Sequence, residues 1–140
     1  MEPKPFEFVA HTADVAALVR GHDLEDVLRN AAAAFYSLAM GERSIAATFC
    51  RSVAITSVDD DALLVDWLNE LIYLLFVDHL AFSQFQFEEL VDGRLRATCY
   101  GQHFLPCQPH ILREVKAATY HMAHLEPDRG GLTARIVFDV

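Results

Sequence analysis

The segment Asp60-Asp-Ala-Leu-Leu-Val-Asp-Trp-Leu-Asn-Glu-Leu-Ile-Tyr-Leu-Leu-Phe-Val-Asp78 constrains the architecture of this chain most strongly. If the segment is helical, apolar residues occupy almost its whole circumference. Its first residues are acidic, and the helix dipole favours negative charge at a helix N-terminus. Asp66, Asn69, Glu70 and Tyr73 fall at i, i+3, i+4 and i+7, so they form one narrow polar stripe. This pattern predicts a core helix. Its stripe is either a solvated face or a contact surface for a partner or for an acidic site.

A second helix is predicted upstream. Leu24 to Met40 is rich in alanine and leucine and contains no proline. Asp23 suits the N-cap, and Glu25 and Asp26 place negative charge in the first turn. Gly41 is positioned to end the helix.

Strands account for most of the remaining chain. Alternating or β-branched patterns predict them at residues 6–9, 15–20, 44–56, 82–91, 95–100, 115–125 and 132–140. Asp92-Gly93 predicts a type I′ hairpin turn, Pro106 and Pro109 a loop, and residues 127–131 a further turn. Because two apolar helices must cover a sheet, we expect an α+β fold. It should be a single layered domain over residues 1–140, with a mixed or antiparallel sheet covered by two main helices.

Length and composition agree with one domain. The chain has 140 residues, 53% of them hydrophobic, which is enough to bury roughly two thirds of the unfolded surface. Its start lacks the layout of a secretory signal, and no apolar run of about 18 residues is free of charge. We therefore expect a soluble cytoplasmic protein without a membrane span. The three cysteines, Cys50, Cys99 and Cys107, form no CxxC pair, so neither a disulfide framework nor a cysteine zinc site is indicated.

The net charge of the chain limits the classes of partner that it can bind. The chain carries 11 Lys and Arg residues against 20 Asp and Glu residues, for a formal net charge of −9. Nucleic-acid binding depends on neutralising phosphates with cationic side chains, so direct binding to RNA or DNA is not expected. An acidic domain is better suited to cations, to a basic protein surface, or to a partner that itself holds nucleic acid.

Acidic groups stand at both ends of the chain. The last predicted strand places the Asp139 side chain next to the terminal carboxylate of Val140. Near the start, the connection His11-Thr-Ala-Asp14 between two predicted strands offers another carboxylate, that of Asp14. Such groups repel one another unless they are solvated or share a cation. The residues alone leave two interpretations open, a frayed acidic tail and a divalent-metal site.

Familiar catalytic patterns are missing from the sequence. It contains no GxGxxG, P-loop, HExxH or GxSxG motif. His121 and His124 stand at i and i+3, an odd spacing, so a strand would send them to opposite faces and make a poor chelate. Glu114, Lys116 and Tyr120 would share a strand face. That pattern can orient an acid beside a base, but it more often makes a cross-strand salt bridge.

Four motifs together resemble the archease family. They are His11-Thr-Ala-Asp14, Leu63-Leu-Val-Asp-Trp-Leu-Asn-Glu-Leu-Ile-Tyr73, Glu114-Val-Lys-Ala-Ala-Thr-Tyr-His121 and Phe138-Asp-Val140. The resemblance in order and spacing extends from about Phe6 to the last residue.

The resemblance implies a small accessory protein that is not an enzyme. Archeases assist the tRNA-splicing RNA ligase by promoting its guanylylation by GTP and its multiple turnover. The family also implies a divalent-metal site at Asp14, Asp139 and Val140, and hard carboxylate oxygens suit Ca²⁺ or Mg²⁺. No organic cofactor is expected for the chain itself. The proposed partner surface comprises four residues: His11, Asp66, Glu70 and Lys116.

The chain departs from the family at three positions. Gln102, Leu105 and Pro109 stand where archeases typically have a glutamate, an aspartate and a histidine, and His110 can replace that histidine after a one-residue shift. Two other functions remain open. One is a chaperone-like modulator of a tRNA-modifying enzyme such as a tRNA methyltransferase. The other is a stand-alone metal-dependent hydrolase, in which the metal would activate water.

Overall fold

A computed structural model of the chain describes residues 4–9, 14–105, 110–121 and 123–140. The described residues form two helices and eight strands. In chain order these are β1 (Phe6–Val9), β2 (Asp14–Gly21), α1 (Leu24–Met40), β3 (Phe49–Thr56), α2 (Asp60–Phe76), β4 (Leu80–Val91), β5 (Arg94–His103), β6 (Ala117–Thr119), β7 (Leu125–Asp128) and β8 (Gly131–Asp139). His11, Pro106, Cys107 and Pro109 lie outside the described residues, as does the loop predicted there.

The predicted α+β class is confirmed, and all described strand pairs are antiparallel. The strands form two sheets where the sequence suggested one. One sheet has the order β1-β2-β8-β6, with β7 also paired to β8, and the other has the order β3-β5-β4. Periodicity identifies strands but does not tell which strands pair, so it could not separate the two sheets. The sheet of β1, β2, β6, β7 and β8 is called the five-stranded sheet below.

Both helices pack against strands of both sheets. The predicted helix signals are confirmed. The Asp23 carboxylate accepts from the Asp26 amide at 2.9 Å, and Gly41, at φ 77°, caps the C-terminus of α1. Asp59 caps α2 in the same way, and α2 ends at Phe76, two residues before the predicted end. Trp67 and Phe35 lie fully buried at the centre of the core.

The β4–β5 hairpin is also confirmed. Asp92 and Gly93 have φ values of 51° and 74°, as a type I′ turn requires at both central positions. Both strands are longer than predicted, since pairing continues as far as Leu80 opposite His103.

Two predicted strands are wrong in extent. The strand predicted over residues 44–56 begins at Phe49, because the Ala46 amide donates to the Gln102 side chain at 3.0 Å and not to a neighbouring backbone. Among the described residues of the strand predicted over 115–125, only β6 and Leu125 are in strands, and Tyr120 lies in a bend and His121 in a turn. β7 begins at Leu125 and continues to Asp128, into the segment predicted as a turn. The prediction that Glu114, Lys116 and Tyr120 share a strand face is also wrong, because only residues 117–119 of the segment 114–120 are in a strand.

In the part of the chain that the structure describes, neither helix has the length and hydrophobicity that spanning a lipid bilayer requires.

Candidate functional site

Asp14 and Asp139 face each other across the five-stranded sheet. They are direct partners in the antiparallel register of β2 and β8. Paired residues of an antiparallel ladder project to the same face of the sheet, and like charges placed there are destabilising. Asp14 is half-buried and Asp139 is exposed. The fold thus brings the two acidic ends of the chain together into what we call the acid pair, Asp14 and Asp139.

The backbone at the acid pair is held on both sides. Asp139 pairs with Asp14 on one side and with Ala117 of β6 on the other. The Lys116 amide also donates to the Asp139 backbone oxygen at 2.8 Å. Asp139 therefore belongs to an ordered ladder rather than to a frayed tail, although its side chain remains exposed.

The acid pair fits a hard cation by its chemistry. Two carboxylates on one face offer the oxygen donors that Ca²⁺ and Mg²⁺ prefer. No group of three or more His, Cys, Asp or Glu side chains within the described residues is placed to hold a metal ion. A site here would therefore need oxygen ligands beyond these two side chains, and the family resemblance implies Val140 as one of them.

The polar stripe of α2 contacts the segment around β6. The Asn69 side chain donates to the Ala118 carbonyl at 3.0 Å and accepts from the Ala118 amide at 2.8 Å. Asp66 accepts from the Ser57 hydroxyl at 2.6 Å and from the Tyr120 hydroxyl. The hydrogen bond to Asp66 raises the pKa of Tyr120. Asp66 and Asn69 therefore make structural contacts, and this part of the stripe is not a solvated face.

Two other predicted site residues lie near this contact. Glu70 is half-buried on α2, and Lys116 is exposed just before β6. Both lie close in sequence to residues that contact one another, Asn69 on α2 and Ala118 on β6. The structure thus places Asp66, Glu70 and Lys116 on neighbouring elements, while His11 lies outside the described residues.

Sequence reasoning missed an ion pair at the start of α2. His124 Nδ1 lies 2.9 Å from the Asp61 carboxylate, whose other oxygen accepts from the Leu125 amide at 2.9 Å. The hydrogen bond to Asp61, assisted by its charge, raises the pKa of His124. No local signal could have revealed this contact, because 63 residues separate the pair.

The structure describes Gln102 and Leu105, two of the positions that depart from the family pattern, and also His110. Gln102 accepts from the Ala46 amide and so holds the segment before β3. Leu105 is exposed. His110 contacts the Arg43 guanidinium at 2.6 Å, and its ring packs on Phe104.

The fold and the acid pair define a small α+β protein with an acidic site at the end of a sheet, and comparison with known proteins identifies the class. The archease protein family model matches residues 6–140. Archeases from Methanothermobacter thermautotrophicus and Methanosarcina mazei are 38% and 36% identical, each over 98% of this chain and 99% and 97% of their own lengths. The chain belongs to the archease family.

Solved structures agree with the fold. The solution structure of Methanobacterium thermoautotrophicum protein 1598 is 34% identical, with a TM-score of 0.80 over 97% of this chain and 99% of that one. The crystal structure of an archease from Thermotoga maritima, described as a possible chaperone, has a TM-score of 0.64 over 100% and 98% of the two chains. At 22% identity, the Thermotoga structure supports the fold alone.

Proposed function

We propose that this protein is a non-enzymatic accessory factor that activates a GTP-dependent tRNA-splicing RNA ligase, promoting its guanylylation and its multiple turnover. Membership of the archease family supports the assignment. The main structural observation in support of a functional site is the direct pairing of Asp14 with Asp139 at the end of the five-stranded sheet.

The acid pair and the C-terminal carboxylate of Val140 would hold a divalent cation, Ca²⁺ or Mg²⁺. When bound, that cation supplies positive charge that offsets the repulsion between the carboxylates. The protein's own contribution is positioning. β2 and β6 hold Asp139 from both sides, so its carboxylate is presented without a flexible tail.

The effect on RNA joining would pass through the ligase. The net charge of −9 opposes binding to phosphates, so the acidic end of the domain is suited to a cationic surface of the ligase. Glu70 and Lys116 would flank that contact, and Asp66 would support it from within through Tyr120 and Ser57. An activator needs only to bind one ligase state more tightly than another. A difference of about 3 kcal/mol in binding free energy shifts the equilibrium between the two ligase states roughly 150-fold.

The guanylylation step gives a direct test. Ligase is mixed with labelled GTP and divalent metal, and the covalent ligase–guanylate is followed with and without this protein. We expect wild type to accelerate labelling, and Asp14→Ala and Asp139→Ala to lose the effect while remaining folded. Asp128→Ala, an exposed acid on β7, is the matched control and should activate fully. Equal labelling with and without wild-type protein would contradict the proposal.

Two other functions give different results in related assays. A chaperone-like modulator would keep a tRNA methyltransferase from aggregating without changing ligase labelling. The archease from Thermotoga maritima is likewise described as a possible chaperone. A metal-dependent hydrolase would turn over a phosphoester substrate in isolation.

A further inference from the structure

The acid pair lies next to a very short strand. β6 has only three residues, Ala117 to Thr119, and it pairs with Asp139, Phe138 and Val137 at the end of β8. It is the last strand of the path β1-β2-β8-β6, so its far side is a sheet edge among the described residues. Strands usually have about five or six residues, so this ladder is at the short limit. A strand this short is held more firmly by a second attachment.

Asn69 of α2 provides that second attachment. Its side-chain amide donates to the Ala118 carbonyl at 3.0 Å, and its side-chain oxygen accepts from the Ala118 amide at 2.8 Å. Both backbone groups of the middle residue of β6 therefore point away from β8, as those of alternate residues do in an antiparallel strand. Asn69 satisfies both groups as a further strand would, and it closes the sheet edge at this residue.

Asn69 belongs to a rigid part of the molecule. Its neighbours on α2, Trp67 and Leu68, are fully buried in the core. The Trp67 indole also donates to the Leu28 carbonyl of α1 at 3.0 Å, which fixes the turn of α2 just before Asn69. Because packed core helices deform little, the helix sets the position of β6 and not the reverse.

β6 in turn contacts the acid pair on the side opposite Asp14. Ala117 is the register partner of Asp139, and the Lys116 amide donates to the Asp139 carbonyl at 2.8 Å. Asp14 pairs with Asp139 from the other side, on β2. If β6 moved away, Asp139 would keep its β2 partner and lose both of its contacts with β6. The position of the Asp139 carboxylate relative to Asp14 therefore depends on where β6 is held.

A second contact from α2 lies beyond the far end of β6. The Tyr120 hydroxyl donates to Asp66. Tyr120 is 61% exposed and lies three residues beyond Ala117, the register partner of Asp139. Asn69 bonds the residue next to Ala117. It is therefore the contact from α2 with the more direct effect on Asp139.

We propose that Asn69 is a positioning residue for the acid pair. By holding β6 against β8 it fixes the Asp139 carboxylate opposite Asp14, and it thereby sets the affinity of the pair for a divalent cation. Loss of a group that orients a ligand typically weakens a metal site by about 10- to 100-fold. Asn69 acts through one strand, so we expect a loss at the low end of that effect, about 5- to 10-fold. This inference rests on the proposed cation site and adds a residue that is not itself a ligand.

Titration of the full chain with Ca²⁺ by calorimetry tests this role. Asn69→Leu removes both hydrogen-bonding groups without changing the charge. Asn30→Leu is the matched control, because Asn30 is also half-buried on a helix and also bonds a strand backbone, the Arg20 carbonyl, at 2.6 Å. Arg20 lies six residues along β2 from Asp14, or about 20 Å at strand spacing. We expect Asn69→Leu to raise the Ca²⁺ dissociation constant about 5- to 10-fold and Asn30→Leu to leave it unchanged.

Hydrogen exchange of the metal-free proteins gives a readout that does not depend on a cation. The Lys116 amide donates to the Asp139 carbonyl, so its exchange reports whether β6 stays in place. Urea is used to bring the two leucine variants to equal global stability. Under those conditions we expect the Lys116 amide to exchange at least about 5-fold faster in Asn69→Leu than in Asn30→Leu.

Three results would overturn the role of Asn69 alone. They are equal Ca²⁺ affinity of wild type and Asn69→Leu, equal weakening in both leucine variants, and equal exchange of the Lys116 amide in those variants. If wild type binds neither Ca²⁺ nor Mg²⁺, the proposed cation site itself fails, and the role of Asn69 fails with it. If Asn69→Leu does not fold, Asn69→Ala, which leaves space for water beside Ala118, replaces it, with Asn30→Ala as its control.

Discussion

Asn69 exchanges two hydrogen bonds with the backbone of Ala118, donating at 3.0 Å and accepting at 2.8 Å. Its side chain therefore satisfies both polar groups of a backbone residue, as a neighbouring strand would. On the other side of β6, Ala117 pairs with Asp139. The buried helix α2 is thus linked to the acid pair through a three-residue strand.

The first prediction concerns this link. Asn69→Asp keeps the shape of the side chain but replaces the donor with an acceptor that faces the Ala118 carbonyl. We expect the free energy of unfolding to fall by about 1–3 kcal/mol, the usual result of leaving a partly buried polar group unsatisfied. Urea unfolding measures this change, and hydrogen exchange of the Lys116 amide should accelerate. Glu70→Gln, the next residue of the same stripe, should change stability by no more than about 0.5 kcal/mol. Equal stability of wild type and Asn69→Asp would contradict the link.

The second prediction concerns pH. Since Asp61 raises the pKa of His124 in the folded state, the pair stabilises the fold fully below the unfolded histidine value of about 6.5. That contribution is lost as the pH rises through the folded pKa. The stability difference between wild type and His124→Gln should therefore be larger at about pH 5.5 than at about pH 8.5. In an Asp61→Asn background the pH dependence should become much smaller, because only the weaker contact of His124 with Glu126, at 4.0 Å, remains. An undiminished dependence in that background would assign it to a group other than Asp61.

The third prediction concerns Tyr36. Its buried hydroxyl lies beside the Phe82 backbone amide but makes no hydrogen bond of ordinary geometry with a described residue, so Tyr36→Phe removes a polar group whose desolvation is only weakly compensated. We expect the free energy of unfolding to rise by about 1 kcal/mol. Tyr73→Phe, at an exposed tyrosine of α2, is the control and should have no effect. A loss of stability in Tyr36→Phe would show that the hydroxyl is bonded in the folded protein.

The fourth prediction concerns the metal. A cation that binds only the native state, at about 100 times its dissociation constant, should add roughly 2.7 kcal/mol to stability. Thermal melts in millimolar Ca²⁺ or Mg²⁺ should shift upward for wild type and not for Asp14→Asn. A short extension after Val140, which moves the terminal carboxylate, should weaken the shift. A full shift in the extended protein would remove Val140 from the ligand set.

The parts of the fold that could be predicted from sequence are those set by nearby residues. Asp23 and Gly41 mark both ends of α1, and Asp92 with Gly93 marks the hairpin, because a cap and a tight turn depend on only a few adjacent side chains. The strand predicted over residues 115–125 was wrong. Its middle is bent and is held by Asp66, which is distant in sequence.

The residues of the candidate site could also be predicted only in part from the sequence. The sequence identified Asp14 as an acid on a connection between two strands and Asp139 as an acid near the end of the last one, but only the register of β2 against β8 shows that they are direct partners. Asn69 was recognised as part of a polar stripe, while its bonding to Ala118 depends on a segment 49 residues away. Contacts between distant segments follow from tertiary packing, which local periodicity does not encode.

Multiple-turnover ligation tests the central claim most directly. A tRNA-splicing ligase is given excess RNA substrate, GTP and divalent metal, with this protein below the ligase concentration. We predict that wild type sustains repeated rounds of ligation, that Asp14→Ala and Asp139→Ala leave the ligase at its unassisted rate, and that Asp128→Ala behaves as wild type. Absence of activation by the wild-type protein, or full activation by both acid-pair variants, would contradict the account.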